Sequence, residues 1–316
     1  MTFFRYPGGK AKLRNVPLQL SGISLAEHLN LYAFRLELEY REPFFGGGSI
    51  GTEFLFSHPR WRNVWLNDKD RGLACLWTAV TRYPKSLWHK VRDFVPSVES
   101  FDRFKRLLAD VPIPETGKEI VEYGFMKMAL HQISYSGLGM KSGGPLGGRL
   151  QESKYPIDCR WSPEYLRFQI IRLCERFRKS ELRFTGCTNF DFSELILDQR
   201  PALLYLDPPY YVKGNDLYQC GFTERDHRRL ATLLHFTRHS WVLSYDDCPE
   251  VRDLYEWAVI EEVDVNYSIT ATKDKESGAR LSRTKPELVI YPTHHQDFVD
   301  SCRNILGFIE TPLRDS

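Results

Sequence analysis

Ala202-Leu203-Leu204-Tyr205-Leu206-Asp207-Pro208-Pro209-Tyr210 is the stretch on which the fold turns. Five apolar residues in a row, closed by an acid and two prolines, read as a strand buried on both faces. Such strands belong to mainly parallel sheets covered by helices, and ligands meet those sheets beyond the strands' carboxyl ends. Asp207 falls at that place. The prolines stiffen the backbone, and their carbonyls remain free acceptors. A carboxylate and a carbonyl that accept the two N–H bonds of a nucleobase amine favour a more tetrahedral nitrogen, with its lone pair aimed at an electrophile. The ring of Tyr210 could stack on a base taken out of its helix.

Other short β-rich runs lie at residues 36–45, 64–66, 182–184, 241–245, 258–265 and 287–291. A helix-like pattern at 224–235 follows the central run, so strands alternate with helices. Residues 85–180 read differently. Helical spacing recurs at 86–95, 100–108, 119–133 and 164–178, with a glycine-rich basic loop at 137–149 and no strand pattern. This predicts an α/β fold with a mostly helical insertion between the early and late strands of one sheet. Residues 293–316 offer one short helix, at 297–308, and no motif.

The chain has 316 residues, 42% hydrophobic and 27% charged, an ordinary globular composition. It contains no run of eighteen apolar residues and no apolar leader at the N-terminus, so no membrane association is expected. Seven cysteines without C-x-x-C pairs argue against a disulfide framework or a zinc ribbon and fit a reducing cytoplasm. The formal charge of +2 hides local excess. Arg5, Lys10, Lys12 and Arg14 face no acid within the first 20 residues, and residues 141–183 carry ten Lys/Arg against five Asp/Glu. Lys273, Lys275, Arg280, Arg283 and Lys285 form a third basic segment. Such segments could meet a polyanion, although charge alone equally describes solvated surfaces.

Two further motifs carry chemistry. Glu42-Pro43-Phe44-Phe45-Gly46-Gly47-Gly48-Ser49 follows a strand-like run, where glycines let backbone approach a ligand and open a helix. Asn67-Asp68 follows the next run, about twenty residues on, where an acid commonly holds ribose hydroxyls. Arg5-Tyr6-Pro7-Gly8-Gly9-Lys10 is not a P-loop, because Phe4 stands in place of the first glycine and Ala11 follows the lysine. His235 and His239 have the spacing of two zinc ligands but no third ligand, and no metal is expected.

In their order, these motifs resemble the Dam-type, class D12 family of adenine-specific DNA methyltransferases. Thr188-Asn189-Phe190-Asp191, Phe222-Thr223-Glu224-Arg225-Asp226-His227, Val242-Leu243-Ser244-Tyr245-Asp246 and the pattern at 268–287 agree with it, over about residues 4–292. The resemblance implies a Rossmann-like, seven-stranded methyltransferase sheet using S-adenosyl-L-methionine. Residues 1–85 and 180–292 would form the catalytic domain, 86–179 a target-recognition insertion, and 293–316 a C-terminal tail. Tyr6 and Lys10 would flank cofactor and target base. Phe44, Gly46 and Gly48 would line the cofactor loop, Asp68 would bind ribose hydroxyls, and Asp191 would contact the adenine region. Asp207, Pro208, Pro209 and Tyr210 would hold a flipped adenine, with Lys10 beside them. Tyr135, Lys141, Arg149, Lys154 and Arg160 would contact double-stranded DNA. Tyr6 stands where tryptophan is common in the family, which keeps an aromatic ring.

The resemblance further implies a DNA-associated protein of a prokaryotic or phage cytoplasm, with a cognate restriction endonuclease as a conceivable partner. The same chemistry on RNA, and a catalytically silent DNA-binding subunit, are the rival readings. Retention of both Asp68 and Asp207 speaks against a silent copy. No recognition sequence can be read, because residues 125–165 match the family only through His131-Gln132-Ile133-Ser134-Tyr135-Ser136-Gly137-Leu138-Gly139.

Overall fold

A computed structural model of the chain describes residues 3–10, 13, 25–26, 29, 38–57, 63–212, 214–267 and 283–294. The basic residues of 268–282, most of the late motif at 268–287, and the helix expected at 297–308 lie outside the described residues.

Among the described residues, seven strands form one sheet: β1 (Glu39–Glu42), β2 (Asn63–Leu66), β3 (Glu181–Leu182), β4 (Ala202–Leu206), β5 (Ser240–Asp246), β6 (Val259–Tyr267) and β7 (Arg283–Tyr291). Their order across the sheet is β3-β2-β1-β4-β5-β7-β6. All pairs are parallel except those made by β7, which runs antiparallel to β5 and β6. The chain therefore moves outward from β1 to β3, then returns to lay β4 on the other side of β1. The carboxyl ends of β1 and β4 meet at this reversal, the place where open α/β sheets form a crevice.

Strand β4 is buried throughout, as its composition predicts, and its side chains alternate between two cores. Leu203 and Tyr205 join a core with Tyr40, Val64, Val242 and Val289. Ala202, Leu204 and Leu206 join the opposite core with Trp241, Leu243, Leu288 and Ile290. Among the described residues, helices α1 (Gly51–Ser57), α2 (Arg71–Arg82), α3 (Pro84–Asp93), α4 (Val98–Leu107), α5 (Gly117–Ile133) and α6 (Pro163–Lys179) contribute to the first face. Helices α7 (Phe192–Leu197), α9 (Glu224–Phe236) and α10 (Pro249–Leu254) contribute to the second, and α8 (Gly214–Leu217) is a single turn.

Two runs shrink against their sequence reading. Of the run at 36–45, residues 38–45 are described, and β1 is the strand among them, because the glycine turn has begun by Phe45, whose N–H donates to the Asn67 carbonyl. The run at 182–184 yields only β3, because Phe184 turns aside to pack on Trp65 with ring centroids 5.0 Å apart.

The segment 84–179 holds helices α3 to α6 and a loop at 134–162, and its helices pack into the same core as the sheet. Helix α5 lies against α2 so closely that a Cβ on Gly124 would sit 2.6 Å from the Leu76 Cα. Phe101, Phe125 and Leu130 share the core that holds Tyr40 and Val64. Caps fix where these helices start: Ser97 and Ser100 form a capping box for α4, and Thr116 and Glu119 form one for α5.

Opposite the crevice, buried Arg41 ties the sheet's amino end together. Its guanidinium donates to Glu39 at 2.6 Å, to the Asp198 carboxylate at 2.7 Å, and to the carbonyls of Leu195 and Arg200. Without Arg41 the carbonyls of Leu195 and Arg200 lose a buried donor, while Glu39 and Asp198 keep Arg183 as a partner. Arg41→Met is therefore expected to lower stability by about 2–3 kcal/mol, read as a drop in urea midpoint with an unchanged slope.

Candidate active site

The loop after β1 is shaped by two aromatic rings. A Cβ on Gly46 or Gly47 would lie 2.8 Å from atoms of Tyr6, and one on Gly48 would lie 2.7 Å from Trp77. Gly46 and Gly48 also adopt φ of 49° and 64°, which L side chains rarely reach. The Trp77 indole donates to the Gly46 carbonyl at 2.9 Å. The glycines thus admit the protein's own rings as well as any ligand. Asp68 closes the loop: its Oδ2 accepts from the Gly46 N–H at 2.6 Å, and its Oδ1 from the Asp70 N–H at 2.8 Å. Asp70 in turn caps α2 and takes an ion pair from buried Lys127 of α5, whose ammonium also donates to Gln219 at 2.8 Å.

Across the crevice, Asp207 stands just beyond β4. Its Oδ1 accepts from Ser244 Oγ at 3.2 Å and lies 3.4 Å from Lys10 Nζ. Ser244 is itself bonded to Tyr205 Oη at 2.9 Å. Among the described residues, no hydrogen bond is made to Oδ2, and the side chain retains 18% exposure, on the cleft. Lys10 is 1% exposed. Its ammonium donates to Tyr210 Oη and to Glu287 Oε2, both at 2.8 Å, and sits 4.3 Å from the Tyr210 ring centroid. Tyr210 Oη donates to Glu287 Oε1 at 2.7 Å. The Lys10 N–H reaches Ser49 Oγ at 3.1 Å, so one residue touches the glycine loop through its backbone and Asp207 through its side chain.

Between these walls lies a cleft that encloses about 140 Å³ and opens to solvent at its mouth. Of the residues singled out in the sequence, Tyr6, Phe44, Gly46, Gly48, Asp68, Asp191, Asp207 and Pro209 line it. Lys10, Pro208 and Tyr210 are not in its wall; Lys10 and Tyr210 are joined to Asp207 through the network just described. Phe44, Phe192 and Phe222 form one aromatic wall, with Phe44 5.6 Å from Phe192 and 5.7 Å from Phe222. Asp191 caps α7, and both its oxygens accept from Arg229 at 2.8 Å.

Tyr135, Lys141, Arg149, Lys154 and Arg160 are all exposed and lie outside the cleft wall. Their loop is ordered from within. The Tyr135 N–H donates to the Gly144 carbonyl, and the Leu146 N–H to that of Ile133. It begins beside the cleft, because Arg5, next to Tyr6, donates to the Ser134 carbonyl and packs on Gly137. Arg149 makes a two-pronged ion pair with Asp102 of α4. His239 packs in the Arg41 cluster and His235 against Trp257, so each has a local partner. No group of three metal-ligating side chains occurs among the described residues. No helix there is long and apolar enough to cross a membrane.

Sequence reading missed Glu287, Ser244, Lys127 and the carboxylate of Glu42 as parts of this site. Glu287 and Ser244 do lie in the motifs quoted above, which gave their position but no contact. Residues 169–269 match the D12 class N6 adenine-specific DNA methyltransferase family. The resemblance to the D12 class holds. The D12-class match includes Asp191, the Asp207–Tyr210 motif and Ser244, and it suggests DNA adenine methylation and a methyltransferase activity. Tyr6, Lys10, the glycine loop and Asp68 lie outside the matched residues and join the D12-class segment only through the contacts above. Among curated proteins, none matches the chain.

Burial sets the site's electrostatics. It pushes the Asp207 carboxyl up to about 6 despite Lys10, and that of Asp68 up to about 7 despite its two amide donors. Glu42, held by the Tyr40 hydroxyl at 2.7 Å, is raised well above the carboxylate range by the same cause. Burial lowers His131 to about 3 and His227 to about 4, so above their ordinary 6.5 these histidines are neutral whether folded or not. In that range the folded acids still hold protons that the unfolded chain has lost, so stability falls as pH rises. The thermal midpoint of the ligand-free protein is expected to drop between about pH 6.5 and 8, and Asp68→Asn to make that drop shallower.

Proposed function

We propose that the chain methylates the N6 amine of adenine in double-stranded DNA at a specific site, with S-adenosyl-L-methionine as methyl donor. The observation that carries the reading is the divided Asp207 carboxylate. Oδ1 accepts from Ser244 and lies near Lys10, Oδ2 accepts no hydrogen bond from the described residues, and Asp207 lines the cleft at the end of β4.

The cleft fits the cofactor by the chemistry of its walls. Three buried acids, Glu42, Asp68 and Asp207, line it, and a cationic ligand relieves their desolvation. The Phe44, Phe192 and Phe222 wall offers ring faces to a purine. When bound there, S-adenosyl-L-methionine supplies a methyl group on a positively charged sulfur. Asp68 is placed to take ribose hydroxyls while it holds the glycine loop, and Asp191 stands beside the aromatic wall.

The protein's own contribution is orientation and hydrogen bonding. An adenine swung out of the duplex presents two amine hydrogens, one for Asp207 Oδ2 and one for the Pro208 carbonyl. Both acceptors draw the lone pair out of conjugation. Held so, the N6 lone pair would face the methyl carbon that bound S-adenosyl-L-methionine would supply, with Asp207 Oδ2 beside the surplus proton of the nitrogen. Asp207 needs no prior charge transfer for this; it must only be ionised. Tyr210, tethered at its hydroxyl, keeps its ring beside the target.

Tyr135, Lys141, Arg149, Lys154 and Arg160 would meet the duplex, phosphates first. The exposed Arg149–Asp102 pair is of a weak kind and can exchange its carboxylate for a phosphate. Arg149→Ala should weaken binding to all sequences and reduce the salt slope by about one; an unchanged slope removes Arg149 from the interface. The function itself is tested by single-molecule sequencing of plasmid DNA from an adenine-methylation-deficient host. N6-methyladenine confined to one short motif is expected with the wild type and not with Asp207→Ala. An unmodified plasmid from folded protein that binds the cofactor contradicts the reading.

A further inference from the structure

Glu287 has no part in the reading above, yet it is 3% exposed and reaches the reaction end of the sheet. It stands on antiparallel β7, opposite Asp246 of β5. Its two oxygens divide their work: Oε2 accepts from Lys10 Nζ at 2.8 Å, and Oε1 accepts from Tyr210 Oη at 2.7 Å. Lys10 therefore lies between two carboxylates at unequal distances, 2.8 Å from Glu287 and 3.4 Å from Asp207.

We propose that Glu287 is a positioning residue, which draws the Lys10 ammonium off Asp207 so that the Asp207 carboxylate keeps its acceptor strength for the target amine. The inference rests on the methyltransferase reading for its catalytic meaning, but its geometry does not depend on that reading. An ammonium has three protons to donate. Here Tyr210 and Glu287 hold two of them at hydrogen-bond length, which leaves Asp207 a longer, weaker contact. With Glu287 neutral, Asp207 becomes the nearest anion among the described residues, and in a buried site that attraction is strong. Lys10 would then close on Oδ1, withdraw charge from the whole carboxylate, and weaken the hydrogen bond that Oδ2 offers.

The groups facing Asp207 are Lys10 from the N-terminal segment, Glu42 of β1, Tyr205 of β4, Tyr210, and Glu287 of β7. Lys10 favours the ionised form of Asp207, whereas Glu287 opposes it. Removing the charge at 287 thus moves Asp207 toward ionisation at lower pH while making it a poorer acceptor. More carboxylate and less activity is a pairing that a general loss of structure does not produce.

Glu287→Gln keeps the shape and one acceptor. In the ligand-free protein, carbon-13 NMR titration of the Asp207 carboxyl should show its midpoint displaced downward by about one pH unit. In turnover, kcat should fall roughly tenfold or more, its acid limb should move the same way, and KM for the cofactor should stay nearly unchanged. Glu287→Asp, which restores the charge, should return the midpoint and part of kcat. An Asp207 midpoint that Glu287→Gln leaves in place overturns the proposal, as does a kcat loss with an unmoved acid limb. If Glu287→Gln fails to fold, the same titration on Glu287→Asp and on Lys10→Met decides. A midpoint kept by Glu287→Asp and raised by Lys10→Met supports the proposal, and one indifferent to Lys10→Met overturns it. Should the wild type methylate no DNA, the functional reading fails, and the titration still decides the role of Glu287.

Discussion

A carboxylate kept half-bonded in a place nearly shut from water is the constraint on which this structure depends. Asp207 sits where burial disfavours its charge, and Lys10 is the only cation that the described residues bring to it. Lys10 in turn is as buried as any core side chain, so it needs anions of its own. The sheet supplies them from opposite directions. Asp207 leaves parallel β4, while Glu287 arrives on antiparallel β7, which lies next to β5 in the sheet. A wholly parallel sheet would not bring a residue from the middle of its last strand to this edge. The reversed strand is therefore part of the site's electrostatics as well as part of its frame.

The same economy links the cleft to the helical segment. Tyr6 packs on Gly46 and Gly47 with one part of its ring and stands 5.2 Å from the His131 ring of α5. His131 Nδ1 bonds the Gly137 carbonyl at 2.8 Å, and because burial keeps this imidazole neutral, Nδ1 carries the proton and donates. Lys127, one turn earlier on α5, grips Asp70 at the start of α2 and Gln219 in the cleft wall. Helix α5 thus fixes the glycine loop and the exposed loop around Tyr135 at once. Close packing between α2 and α5, which Gly124 permits, makes that linkage stiff.

Much of this was legible in the sequence because it rests on local pattern. An unbroken apolar run ended by Asp207-Pro208-Pro209 announces a central strand and its functional edge, and the glycine loop and Asp68 follow from spacing. What stayed hidden are contacts between residues remote in the chain. Lys10 and Glu287 are 277 residues apart, and nothing in a charged residue at the start of an apolar run says whether it faces solvent or a buried ammonium. Asp191 entered only through the family resemblance, and its pairing with Arg229 depends on how α9 returns across α7. The glycines illustrate a subtler limit. Their spacing points to close approach, and only the coordinates show that Tyr6 and Trp77 are what approaches.

The most direct measurement is a crystal structure of the protein with duplex DNA and an unreactive analogue of S-adenosyl-L-methionine. The account predicts an extrahelical adenine whose N6 lies at hydrogen-bond length, about 3 Å, from Asp207 Oδ2, with Lys10 still held by Glu287. An adenine left stacked in the duplex, or an Oδ2 turned away onto Lys10 or another protein group, would contradict it.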